Sequence, residues 1–415
     1  MSIRSFKFPS KVGAAIAAVS STAFIFRERE IICSSEPSQT NALSNVVPSS
    51  KPGVKLLFLG TGSSTGCPKP LCSMLFPERD DSHSFVDRNI EKIQNDMRNR
   101  CHTSILASKG DPRANKNYRN NPSLLISHKN NDDAEFNNSA HESIENQSNK
   151  PKNDLRNVII DVGKTFRETA IRWMPLHGIY SVDGVVLTHE HADAMLGLDD
   201  LRGFQMSTPV ATKFGNVLKA DDALHIHLSG QCLDRVKEQF PYLVPKKMKE
   251  ITVAEKEEKV VRHVASLEFN VVTHFKPFVV GGLRMIPLPV IHGEDFICNG
   301  YAFSVKSERE HEDKMTHVVY LSDLSRMPEE TLEFILNELP PTDILVVDSL
   351  SYSIPHPVHF SLDQAMNLVK IIGAKKTYIV GINCDDFPDH DEANRRIQAK
   401  DPSVELAYDG LVIEL

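Results

Sequence analysis

The chain has 415 residues, 40% of them hydrophobic and 25% charged, which is enough apolar material for a sizeable core and excludes a disordered, charge-dominated polymer. A formal net charge of -8 and a pI near 6.1 argue against a sequence-independent grip on a polyanion, which needs a basic face, but leave room for a local phosphate pocket. Seven cysteines, odd in number and scattered, do not make a disulfide framework and point to a reducing compartment or free thiols.

Residues 1–27 carry Arg4, Lys7, Lys11 and Arg27 with no acid. Between these cations runs AAIAAVSSTAFIF, too short for a membrane span of about 20 residues, followed by Ser/Pro/Asn-rich sequence. This pattern reads as an organellar leader over 1–50, mitochondrial or plastid, with a disordered tail on a cytoplasmic protein as the alternative. No stable membrane span is expected, and the oligomeric state is not legible.

A folded domain over 51–415 opens at KLLFLGTGSS, with a strand over 55–59 and a Gly/Ser turn after it. Strand-like pieces follow at 103–107 and 123–127. Residues 130–157 turn strongly polar and read as a disordered insertion. Further strands are expected at 158–161, 184–188, 271–275, 283–287, 301–305, 317–321, 344–347 and 377–380, with helices at 164–173, 329–338 and 362–372. Interleaved strands and helices without an internal repeat make one α/β domain.

The sharpest motif is GVVLTHEHADAMLGLDDLRG. In an extended segment, side chains two apart point the same way, so His189 and His191 can grip one cation while Asp193 leans toward a neighbouring position. Imidazole and carboxylate suit zinc, with manganese and iron as competitors. Three more segments place a polar residue after an apolar run: IIDVG (Asp161), PLPVIHGED (His292) and VVYLSDLS (Asp323). Such a residue is expensive to bury without a partner.

In this order, the motifs resemble the metallo-β-lactamase superfamily, over roughly 51 to the C-terminus. GTGSS, IIDVGKTFRE, LTHEHADAMLGLDDLR and PHPVHFSLDQA are most similar to the branch containing the phosphonate-pathway cyclic phosphodiesterase and its eukaryotic relatives. The resemblance implies an αββα sandwich with the site at one sheet edge. It implies that His189, His191 and His292 hold a first metal, that Asp323 bridges to a second held also by Asp193, and that Asp161 orients the ligands from behind. His359 of HPVHFS matches a histidine that such phosphodiesterases place near the scissile phosphate; a structural role, capping the following helix, is the other reading.

Two departures bear on chemistry. Ala194 stands where most two-metal members have a histidine, and Cys384 stands where relatives of this branch carry a late ligand histidine. Cys384 is therefore expected as a thiolate ligand in that histidine's place, with one firm metal and a weakened second site. Cys67, Cys72 and Cys101 lie where some relatives hold a structural zinc but, without a compact ligand pair, read as ordinary thiols. A cation in the site would activate water for hydrolysis. The implied activity is hydrolysis of a small or nucleotide-derived phosphodiester, with Asp193 handling the water's proton and His359 facing the phosphate. An RNA-processing nuclease like RNase Z, which would add nucleic acid as a partner, and a non-catalytic metal-binding scaffold are the alternatives.

Overall fold

The computed structural model describes residues 53–75, 101–129, 155–212, 215–220, 222–244, 265–307 and 314–415. The leader expected at 1–50 lies outside them, as does the polar insertion up to residue 154. Val46–Leu415 forms one compact unit.

In chain order the elements are β1 (Lys55–Gly60), α1 (Pro70–Leu75), α2 (His102–Ala107), β2 (Ser123–Lys129), β3 (Leu155–Ile160), α3 (Phe166–Trp173), β4 (Gly184–Val186) and α4 (Ala192–Met195). A hairpin, β5 (Ser207–Thr212) and β6 (Gly215–Ala220), precedes β7 (Leu224–Leu228), α5 (Gly230–Gln239) and β8 (Leu267–Val271). Then come β9 (Phe278–Val280), β10 (Leu283–His292), β11 (Phe296–Lys306), β12 (Met315–Leu321), α6 (Glu329–Asn337), β13 (Ile344–Asp348), α7 (Leu362–Ile372), β14 (Lys376–Val380), α8 (His390–Lys400), β15 (Val404–Leu406) and β16 (Val412–Glu414). One seven-stranded sheet has the order β16-β1-β2-β3-β4-β7-β8, and a second runs β15-β14-β13-β12-β11-β10-β9.

The layering follows from strands that are apolar on both faces. Within β1, Leu57 and Leu59 pack outward with Phe166 and Trp173 of α3, whereas Leu56 and Phe58 point into the seam between the sheets. The second sheet repeats the alternation: Val318 and Tyr320 enter the seam, and Val319 and Leu321 face α7. Helices therefore cover both outer faces, giving the αββα sandwich. Helix α7 shows why its sequence is helical: Leu362, Ala365, Met366, Leu368 and Val369 make one buried stripe. Ser361 and Gln364 close a capping box at its start, and Gly373 takes the left-handed C-cap conformation, φ 69°.

Two expectations fail locally. Residues 103–107 belong to helix α2, because Thr103, Ser104 and Ala107 share its buried face where period-2 reading saw a strand. Strand β8 ends at Val271, so of the strand expected at 271–275 only the first residue belongs to one. Phe275 there takes φ 61°.

The connectivity brings chemistry to one edge. β3 runs parallel to β4, and β12 runs parallel to β13, so their carboxyl ends, followed by Asp161, the histidine loop, Asp323 and Asp348, open on the edge of each sheet. Loops beyond such strand ends are where α/β sheets build their sites.

Candidate metal centre

Asp161 follows β3 in a left-handed conformation, φ 62°, which a non-glycine residue adopts only when its surroundings hold it there. Its carboxylate holds it: Oδ1 accepts from the Thr188 backbone N–H and Oδ2 from the Thr188 hydroxyl, both at 2.8 Å. The next residues dock on α4, where Val162 N donates to Ala194 O at 2.8 Å and Lys164 N to Ala192 O at 3.2 Å. Gly163 permits that approach, since a Cβ there would sit 1.8 Å from Asp193 O. The IIDVGK motif is thus the seat of the histidine loop.

A hydrogen-bond chain continues into the ligands. The Thr188 hydroxyl spends its proton on Asp161, so it accepts from His189 Nδ1–H at 2.8 Å. That fixes the tautomer and frees Nε2 of His189, which is buried and has no hydrogen-bond partner among the described residues. His292, closing β10, donates Nδ1–H to Val358 O at 2.7 Å, so its Nε2 is free as well. His191 makes no side-chain hydrogen bond among the described residues; its ring stacks on Phe296, with centroids 4.9 Å apart and planes 12° from parallel. His189, His191 and His292 each present a ligand atom within 4.8 Å of the others. An orphaned buried nitrogen in such a cluster is explained by a cation.

The carboxylates complete the set. Asp323 follows β12, again left-handed at φ 53°, and its loop is pinned to β10 by Ser325 N donating to Ile291 O at 2.7 Å. A second group of three, His292, Asp323 and His359, also lies within 4.8 Å. Beneath His359 sits Asp348, 1% exposed, which accepts from its Nδ1–H at 2.9 Å.

The sheets are stitched together here. Asn299 N on β11 donates to Thr188 O at 2.9 Å, and the Tyr301 hydroxyl donates to Leu187 O at 2.7 Å.

The electrostatics are those of a metal-free site. Burial, reinforced by the neighbouring histidine charges and opposed by Asp323, lowers the His189 pKa to about 3, and burial and His292 lower that of His191. Burial raises Asp161 well above the carboxylate range; burial and the Asp323 charge raise Asp193 to about 7. Burial works against ionised Asp323, but His189, His359 and His292 outweigh it and hold its pKa below normal. At His359 burial opposes the charged ring, yet Asp348, Asp323 and Asp193 hold its pKa up at about 9. Acids and imidazoles are thus close enough for each to control the other's charge.

Of the residues expected from sequence, His189, His191, His292, Asp323 and His359 fall in the two groups. Asp193 lies near enough to feel Asp323 and His359, and Asp161 stands behind His189. Cys384 lies elsewhere. It packs against Cys67 and Ala107, with Cys67, Ser104 and Lys69 acting on its thiol, because the chain turns away at Gly381. A Cβ at Gly381 would lie 1.9 Å from Asp348 Oδ1, so only glycine fits the turn beside Asp348. Cys101 in turn touches Cys72, so four thiols gather in two pairs. Sulfur is a donor that zinc favours, but among the described residues the sets of three donors with closed spacing are the two histidine groups.

Sequence reading missed Asp348, Thr188 and Phe296. Asp348 carried the signal that found Asp161 and Asp323, a carboxylate ending an apolar strand, here ILVVD.

Residues 156–382 match the model of the β-lactamase superfamily domain, over half of the chain. The chain belongs to the metallo-β-lactamase superfamily. A diphosphatase of the PhnP family has the same fold, with a TM-score of 0.54 and 24% identity over 87% of this chain and 97% of that one. The short form of human tRNase Z aligns with a TM-score of 0.46 at 12% identity, over 87% and 98% of the two chains. An octanoyltransferase from Porphyromonas gingivalis is 25% identical over 256 residues, which is 62% of this chain. That stretch covers 42% of the curated relative's length, so this chain spans less than half of it. Among the described residues no helix is long and apolar enough to cross a membrane.

Proposed function

We propose that the chain is a phosphodiesterase acting on a small or nucleotide-derived phosphodiester. The observation that carries this reading is the cluster of His189, His191 and His292, two of them buried and His191 open to solvent, with the carboxylates Asp193 and Asp323 beside it, a donor set that places cationic charge where an anionic phosphoryl group must bind. A cation of the zinc class held there lowers the pKa of bound water toward about 7 and polarises a phosphoryl oxygen.

The chain's own residues do the rest. Asp193, close enough to the cluster to feel Asp323 and His359, accepts the proton of the attacking water. Lys164, whose charge reaches Asp193, and His356, 5.5 Å from the His359 ring, offer cationic and donor groups to the phosphate. The fold shared with the PhnP-family diphosphatase supports phosphate chemistry, and the motifs that resemble the cyclic phosphodiesterase support the diester. We extend the proposal to the cell: the basic leader over 1–50 directs the chain to a mitochondrion or plastid.

The test is turnover of bis-p-nitrophenyl phosphate by purified, metal-loaded protein. Turnover should vanish, together with bound metal, in His189→Ala and Asp323→Ala. Hydrolysis persisting in the metal-stripped double variant would refute the mechanism. No turnover by the fully loaded wild type on diester substrates, alongside hydrolysis of a thioester or lactam, would move the substrate class elsewhere.

A further inference from the structure

A second cation position in this chain is short of ligands if the motifs are read alone. Ala194 carries no donor, and Cys384 lies with Cys67 instead of the histidines. We propose that His359 is a metal ligand, joining Asp323 and Asp193 to hold a second ion beside the one held by His189, His191 and His292.

The first argument is spacing. His359, Asp323 and His292 present ligand atoms within 4.8 Å of one another, the same closeness that His189, His191 and His292 have. The His359 ring centroid is 4.7 Å from that of His292. His292 cannot serve both positions through two nitrogens, because Nδ1 is spent on Val358 O. Its Nε2 goes to the first ion, which leaves Asp323 and His359 to the second.

The second argument is how the ring is held. His189 gives Nδ1 to a hydroxyl backed by Asp161, His292 gives Nδ1 to a carbonyl, and His359 gives Nδ1 to the Asp348 carboxylate at 2.9 Å. All three rings thus keep Nε2 free by the same device, the arrangement in which a carboxylate or carbonyl behind a histidine fixes its tautomer toward a metal. A cap for α7 needs none of this, and that helix already has its capping box from Ser361 and Gln364.

The third argument is that Asp348 is built in. It is fully buried at the end of β13, and Gly381 leaves it the room it occupies, since a Cβ there would overlap its Oδ1. A residue at 381 with a side chain would displace the group that orients His359. Cys384 supplies no donor to the histidines, and His359 lies among them.

This inference rests on the metal-binding reading of the site and not on the phosphodiester. The experiment loads metal-free wild type, His359→Ala, His359→Gln and Asp348→Asn with manganese(II), which thiolates hold poorly, and counts ions per chain by mass spectrometry after desalting. Electron paramagnetic resonance reports whether two ions couple. The wild type should hold two coupled ions, both His359 variants one uncoupled ion, and Asp348→Asn two ions with the second bound about 10- to 100-fold more weakly. Melting curves of the metal-free variants separate loss of a ligand from loss of the fold. Two coupled ions in a folded His359→Ala or His359→Gln would overturn the proposal, and so would a wild type that saturates at one. Loss of the second ion in a protein inert toward diesters would keep the ligand assignment and reject the proposed substrate.

Discussion

Thr188→Val removes a single hydroxyl while keeping the volume and β-branching of the side chain. Thr188 is 1% exposed, and its hydroxyl makes two bonds at 2.8 Å, donating to Asp161 Oδ2 and accepting from His189 Nδ1. Valine leaves both partners buried, each at a cost of about 1–3 kcal/mol. The metal-free protein should therefore lose roughly 2–6 kcal/mol, read from the urea midpoint at constant slope. The ligand effect is separate: His189 would keep its place in the chain but lose what fixes its ring, so metal affinity should fall by about 10- to 100-fold, measured by competition with a chelator. A variant that loses stability yet retains metal within twofold of wild type would show that the Asp161–Thr188–His189 relay is structural only. One that retains both would refute the relay altogether.

Phe296→Ala should loosen His191, whose ring is stacked on it at 4.9 Å; about 0.5–1.5 kcal/mol of ring contact is lost, and chelator competition should show weaker metal retention that Phe296→Tyr restores. Gly163→Ala puts a Cβ 1.8 Å from Asp193 O, and relieving it should cost about 1–3 kcal/mol and shift α4, lowering kcat as well as the melting temperature. His227 is buried against Phe278, ring centroids 4.9 Å apart, and burial followed by the His225 charge lowers its pKa to about 4. The unfolded chain takes up its proton below about pH 6.5 and the folded chain does not, so this histidine removes about 3 kcal/mol of stability as pH falls from 6.5 to 4. His227→Phe should become more stable relative to wild type by that amount across the same window in urea titrations; a constant difference would contradict the shift.

Legibility in the sequence followed the physics of strand ends. A carboxylate that closes an apolar strand is costly unless it has partners, and that argument alone finds Asp161 and Asp323. Applied to ILVVD it also finds Asp348, which went unread because no ligand motif surrounds it. His189 and His191 were legible from period-2 geometry, whereas the sandwich itself came from resemblance, since alternating strands and helices fix α/β and no more. Cys384 was expected among the histidines from its place along the chain, but the backbone turns at Gly381, φ 75°, and carries it to Cys67 and Ala107. Phe296 left no signal, as an aromatic residue in an apolar strand looks like core. The four thiols were unreadable for a related reason, since Cys384 reaches Cys67 only through the join between the first sheet and the second.

The same join positions the ligands. His189 and His191 follow strands of one sheet, while His292, Asp323, Asp348 and His359 belong to the other, so a cation among them cross-links two layers. Two polar bonds tie the layers together at this point, Asn299 N to Thr188 O and the Tyr301 hydroxyl to Leu187 O, and both land on the residues immediately before His189. The left-handed conformations of Asp161 and Asp323 cost about 1–3 kcal/mol each and are repaid in position. Each turns its carboxylate back across the strand end, one onto the histidine loop and the other onto the ligands. Metal binding then adds stability in proportion to the logarithm of metal concentration over Kd.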